Sequence, residues 1–114
     1  MAIQEINYDV IQGNTWAVDI TVQDSTGAYI DFAGYTFKAE VRDKEGGSVV
    51  CATLSLNSGI TVIGTGKIHV EFTPTQTKNF TLPRAKYEIQ SIDQSGRVST
   101  LETGWFMVKP GVIS

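Results

Sequence analysis

Two runs of strict alternation constrain this chain more than any other feature. Trp16 to Gln23 puts Trp16, Val18, Ile20 and Val22 on one side, with Ala17, Asp19, Thr21 and Gln23 on the other. Tyr35 to Arg42 puts Tyr35, Phe37, Ala39 and Val41 opposite Thr36, Lys38, Glu40 and Arg42. Side chains in an extended strand alternate between faces, so each run has one apolar and one wet face. Two such strands in succession, joined by Gly-rich turns, predict an antiparallel sheet with one buried face.

The same period recurs along the chain. Residues 3–11 place Ile6, Tyr8 and Val10 on one face, then turn at Gln12-Gly13-Asn14. Asp24-Ser25-Thr26-Gly27 and Asp93-Gln94-Ser95-Gly96 read as tight turns, because Asp accepts from nearby backbone N–H groups and Gly supplies positive φ. A short extended piece is expected from Ala28 to Phe32. The stretch from Ser48 to Leu56 contains Val49-Val50-Cys51-Ala52, which breaks alternation and predicts a bulge or an edge strand. Ile60 to Ile63 is a short strand, and Lys67 to Phe72 alternates cleanly with Ile68, Val70 and Phe72 inward. Thr73 can cap a helix and Pro74 suits its first position, so at most one short helix is expected near residues 74–80. Ala85 to Asp93 follows, with Tyr87 and Ile89 inward, and then Val98 to Val108, with a break expected at Gly104.

About seven or eight strands at this spacing predict an immunoglobulin-like two-sheet antiparallel β-sandwich, with a small barrel as the alternative. The 114 residues make one domain, 1–114. The single cysteine, Cys51, excludes an intrachain disulfide. The net charge of −3 and pI near 5.0 argue against phosphate-backbone binding and against attachment to an anionic membrane. No apolar run approaches the ~18 residues of a membrane helix. The N-terminus lacks a basic region followed by an apolar one, so no signal peptide is expected.

Few residues invite chemistry. His69, the one histidine, falls on the wet face of its strand beside ordinary surface residues, and reads as a solvated side chain. Cys51 sits in an apolar run with no base to activate it, and reads as a core or edge residue. Asp24, Asp31, Asp43 and Asp93 lack the D-x-D-x-D-G spacing of a calcium loop and read as turn caps. Gly64-Thr65-Gly66 precedes a strand, which fits a hairpin turn better than a phosphate cradle. Phe37-Lys38 and Lys86-Tyr87 pair an aromatic with a base, but both aromatics fall on the core face. No cofactor and no metal are expected, and the chain reads as a non-enzyme. The anomaly is Trp105-Phe106-Met107-Val108, where both faces of one strand are large and apolar. A strand in a one-sided sheet needs one apolar face, so either the chain itself or a partner covers the second.

Three segments together resemble a known series. Asp24 to Asp43 resembles an aspartate–x–x–glycine turn, a short x-I-D-L-T-G segment and a strand ending in V-R-D. Gly66 to Phe80 is similar to G-x-I-x-L-x-L-T-x-x-x-T-x-x-L, and Tyr87 to Val112 to Y-D-L-x-x-x-x-x-x-G-x-V-x-x-L-x-x-G-x-V-x-V-x-P-x-V. This order resembles small immunoglobulin-like modules of tailed-phage and prophage virion proteins, similar to the N-terminal domain of siphophage upper baseplate proteins. Glu88 stands where the series often has Asp, and Phe32-Ala33 replaces Leu-Thr. The chain reads as a stand-alone copy, without a fibre-bearing C-terminal region.

The resemblance implies a virion structural protein of the tail, baseplate or fibre-attachment region, acting by protein–protein docking. It would assemble in the host cytoplasm and reside in the virion. A capsid decoration or cement protein is the alternative, and a carbohydrate-binding module using Tyr29, Tyr35 and Trp105 is less favoured. Expected partners are other virion proteins and further copies of the chain, a trimer or larger being favoured; nucleic acid and membrane are not. Phe106 and Val108 fall on the V-x-V positions of the series, so Trp105 and Met107 are expected to point outward. Val112, Ile113, Tyr29, Ile30 and Ile11 are expected to extend that interface.

Overall fold

A computed structural model describes residues 4–44, 47 and 49–111. Its strands are β1 (Gln4–Glu5), β2 (Tyr8–Ile11), β3 (Trp16–Thr21), β4 (Thr36–Arg42), β5 (Val50–Leu56), β6 (Gly59–Gly64), β7 (Lys67–Phe72), β8 (Arg84–Ile92) and β9 (Val98–Lys109). One short helix, α1 (Pro74–Thr77), lies between β7 and β8. Alternation predicts the inward faces well. Phe37, Ala39 and Val41 of β4 are buried, as are Ile68, Val70 and Phe72 of β7 and Ala85, Tyr87 and Ile89 of β8. Thr73 and Gln76 close a reciprocal cap on α1: the Gln76 N–H donates to Thr73 Oγ1 at 3.2 Å, and the Thr73 N–H to Gln76 Oε1 at 2.8 Å.

The strands form one mixed sheet in the order β1-β9-β8-β4-β5-β6-β7-β3, with β2 continuing β1 along β9. The sheet curls until it nearly closes into a barrel. Its two ends, β2 and β3, have no backbone ladder joining them among the described residues, and side chains bridge the seam instead. The Trp16 ring lies 5.0 Å from Tyr8 and 4.8 Å from Phe106. Inside, Phe106 stacks on Tyr87 at 4.5 Å and on Phe80 at 5.4 Å. Trp16 and Val18, expected in the core, are only half-buried, because β3 borders the open seam.

The expectation of a wholly antiparallel sheet needs correction. β1 and β2 run parallel to β9, with Gln4 opposite Glu102 and Tyr8 opposite Phe106. The strands led by Trp16 and Tyr35 are not neighbours either: β3 pairs with β7, whereas β4 lies between β5 and β8. The connection between them is too long for a hairpin, and it buries Val22 and Phe32 as it crosses the end of the core. The expected first strand is split at Ile6 and Asn7. There the Ile6 N–H donates to the Thr103 carbonyl at 3.0 Å, and Asn7 Oδ1 accepts the Trp105 N–H at 2.9 Å.

The expected bulge near Cys51 is present. Val41 pairs with Ala52 and Arg42 with Val50, leaving Cys51 as the extra residue. The expected break at Gly104 is absent, and β9 runs through it. Gly104 is there for a different reason: a Cβ would collide with the Ile6 carbonyl of the adjoining strand. The irregularity of β9 lies earlier. Gln90 pairs with Thr100 and Ile89 with Glu102, so Leu101 is extra, and Leu101 and Glu102 are both buried. That bulge sets which residues of the following segment face out.

Candidate functional site

Beyond the bulge, even-numbered residues of β9 turn inward. Phe106 and Val108 are buried, Trp105 is half-buried and Met107 is 40% exposed. The register then builds the outer face row by row. Trp105 stands beside Lys86, and Lys86 beside Arg42. In the next row, Thr103 stands beside Glu88 and Glu88 beside Glu40. On the other side of Trp105, Met107 lies between Asp9 and Arg84.

Cations gather on the indole. The Arg84 guanidinium carbon lies 4.1 Å from the Trp105 ring centroid, and Lys86 Nζ lies 5.2 Å away. Such contacts favour a cation over an aromatic face and hold the ring in place. Glu40 accepts from Arg42 Nη2 at 2.7 Å and pairs with Lys38 Nζ at 3.0 Å. Arg42 first, then Lys38, holds the Glu40 carboxyl below the ordinary carboxylate range. Trp105, Lys86, Glu88, Glu40, Arg42 and Lys38, with Glu5, Lys44, Gln90 and Thr103, border an open groove of about 630 Å³.

The expected interface residues do not form one patch. Ile11, 44% exposed, sits opposite Lys109 and continues the Trp105–Met107 end of the face. Tyr29, 51% exposed, and the half-buried Ile30 lie at the other end of the molecule, where β3 leaves the sheet and β7 enters it. Tyr29 bridges Gln23, and its Cβ stands against Gly66 in the β6–β7 turn. Val112 and Ile113 lie outside the described residues. Tyr35, half-buried, packs on Phe32 and lines a second groove near Tyr29, with Phe32, Leu56 and Val62.

Most residues weighed for chemistry occupy structural roles; Asp43, expected to cap its turn, instead has a buried Oδ1 with no hydrogen-bond partner among the described residues. His69 bridges two strands: Nδ1 lies 2.6 Å from Asp19 Oδ1 on β3, and Nε2 lies 3.1 Å from Glu71 Oε1. The Asp19 hydrogen bond, then that to Glu71, raises its pKa. A carboxylate within hydrogen-bond distance of each ring nitrogen favours the protonated ring, which then bridges the two strands. Cys51 is half-buried, with Sγ 3.4 Å from Thr81 Oγ1. Asp24 accepts from the Thr26 hydroxyl at 2.6 Å and from the backbone N–H groups of Thr26 and Ala28. Asp93 caps its turn in the same way through Ser95 and Arg97, and Asp31 through Ala33. Both capping sets hold their carboxyls, Asp24 and Asp93, below the ordinary value. Among the described residues, no group of three or more His, Cys, Asp and Glu is placed to hold a metal ion.

Sequence reasoning missed Glu102. Alternation from the start of β9 points Glu102 outward, whereas counting back by twos from the inward Phe106 and Val108 points it inward; the bulge at Leu101 reconciles the two. Glu102 is 2% exposed, and its Oε2 lies 3.0 Å from the Tyr8 hydroxyl and 2.9 Å from that of Tyr87. The Tyr87 hydroxyl also lies 2.6 Å from the Ile6 carbonyl. Burial first, then the Glu102 carboxylate, pushes the Tyr8 phenol up to about 12, and Tyr87 is raised for the same causes. This network fastens the N-terminal segment to the body. Against known protein families and curated proteins, the chain has no match.

Proposed function

We propose that this chain is a virion structural protein of a tailed phage, placed in the tail, baseplate or fibre-attachment region, and that it acts by docking without catalysis. The reading rests on the resemblance described above and on one structural observation. Trp105, a large aromatic, is held on an outer sheet face by two cations rather than buried in the core. Trp is enriched at the centres of interfaces, where one residue often dominates binding energy. A glycan-binding reading is weaker, because Arg84 occupies the ring face on which a sugar would stack.

The strand order also supports an immunoglobulin-like sandwich. β5 and β6 share only the pairs Ser55–Gly59 and Leu56–Ile60, at a turn where Asn57 and Gly59 take positive φ. Divided at that corner, the sheet becomes a front layer of β1/β2-β9-β8-β4-β5 and a back layer of β6-β7-β3. A first strand running parallel to the last, with successive strands crossing between layers, is the connectivity such sandwiches use. The test is mass spectrometry of virions purified from a lysate of the host that carries this gene. The chain should be present in fixed ratio to the tail proteins; its absence from pure particles would refute the proposal.

A further inference from the structure

The residues that alternation grouped into one stripe fall at two ends of the molecule, and those ends differ in charge. One end presents Trp105, Met107 and Ile11, with Arg84 and Lys86 over the indole and Arg42 and Lys109 nearby. Bases outnumber acids there by a small margin: Lys38 and Lys44 join the four bases just named, against the carboxylates of Asp9, Glu5, Glu40 and Glu88. This face also carries the open groove of about 630 Å³ beside Trp105. The other end presents Tyr29, Val62 and Ile63, all exposed, around the β6–β7 turn. Asp24, Asp31 and Asp93 stand in the loops of that end, against Lys67 at the start of β7 and Arg97, which neighbours Asp93. Asp24 is ionised at neutral pH, since its turn hydrogen bonds hold it below the ordinary value.

A groove beside Trp105 with a net excess of bases and an exposed apolar turn with a net excess of carboxylates are complementary, and one chain carries both. We infer that copies of this chain pack head to tail: the Ile63–Gly66 turn of one copy, with Tyr29, Asp24 and Asp31, seats in the Trp105 groove of the next, against Arg84 and Lys86. This rests on the docking reading of the Trp105 face. A contact between two different patches does not close at two copies. It makes a ring of three or more copies where the rotation closes and a filament where it does not. Opposite charge across the contact sets the orientation and disfavours groove-to-groove pairing, where Arg84 and Lys86 would meet their own counterparts.

The test uses two variants, each with one damaged end: Trp105→Asp and Ile63→Asp. Multi-angle light scattering should give a trimer or larger for the wild type and one chain mass for each variant alone. A mixture of the two variants should give a dimer and nothing larger, because each supplies one intact half of a single contact. Where Trp105→Asp loses its strand circular dichroism, Met107→Asp replaces it; Tyr29→Asp replaces Ile63→Asp on the same criterion. A monomeric wild type, a mixture that stays monomeric, or a dimer formed by either variant alone would overturn the head-to-tail contact. The docking reading is judged separately, by whether the chain is found in virions. Wild-type chain present there but monomeric in solution would sink the inference alone, and an oligomer absent from virions would sink the reading alone.

Discussion

Val70 has no exposed surface and lies between Val18 and Ile60 of the flanking strands. Val70→Ala should cost roughly 2–4 kcal/mol through lost burial and the cavity left behind. The chemical denaturation midpoint reads this directly, and an unmoved midpoint would take β7 out of the core. His69 gives a second prediction at this scale, with a sign. Its pKa lies above the ordinary 6.5 in the fold, so its contribution is full below that value and is lost as pH rises through the raised one. His69→Gln should therefore lower the urea midpoint at about pH 6 and make little difference at about pH 9. Added salt should shrink the effect, since the ring is partly exposed. A difference between the proteins that does not change with pH would show that the Asp19–His69–Glu71 bridge does not form in solution. The contrast between Val70 and Glu102 shows where residue-level reading stops. Val70 follows from simple alternation, whereas Glu102 enters the core only because one extra residue at Leu101 shifts the parity of β9.

Among the elements, β9 determines most of what can be tested. It holds the N-terminal segment on one side and β8 on the other, and at Gly104 it leaves no room for a Cβ beside the Ile6 carbonyl. Gly104→Ala should push Ile6 away and loosen β1 and β2 without unfolding the remaining strands. Amide hydrogen exchange should then quicken at Ile6 and Gln12, whose N–H groups donate to Thr103 and Lys109. Unchanged protection at both amides would mean that the backbone absorbs the methyl and that the close approach is not a constraint. The sequence makes Gly104 look like a strand break, because a glycine inside a strand signals either a break or a near neighbour. Only the parallel partner decides between these, and parallel pairing of chain ends leaves no local signal. The bulge at Cys51 was legible for the opposite reason: consecutive apolar residues break alternation within the strand itself.

For the molecule as a whole, the all-β class and the inward residues of β4, β7 and β8 were legible, because period-2 patterning is local. Closure was not. Which strands neighbour one another depends on the crossing from β3 to β4 and on the corner between β5 and β6, and neither is encoded by alternation. The same limit separated the exposed Tyr29 from the half-buried Trp105, two aromatics that the sequence allows on one surface and the extended body, 44 × 26 × 22 Å, sets at opposite ends. The central claim is that the outer face of β9 attaches this domain to a virion. Quantitative mass spectrometry of purified particles, comparing wild type with a Trp105→Asp chain of matched melting temperature, tests it most directly. The account predicts that incorporation falls about tenfold or more while the fold is kept, as for a central interface tryptophan. Equal incorporation of the two chains would contradict it.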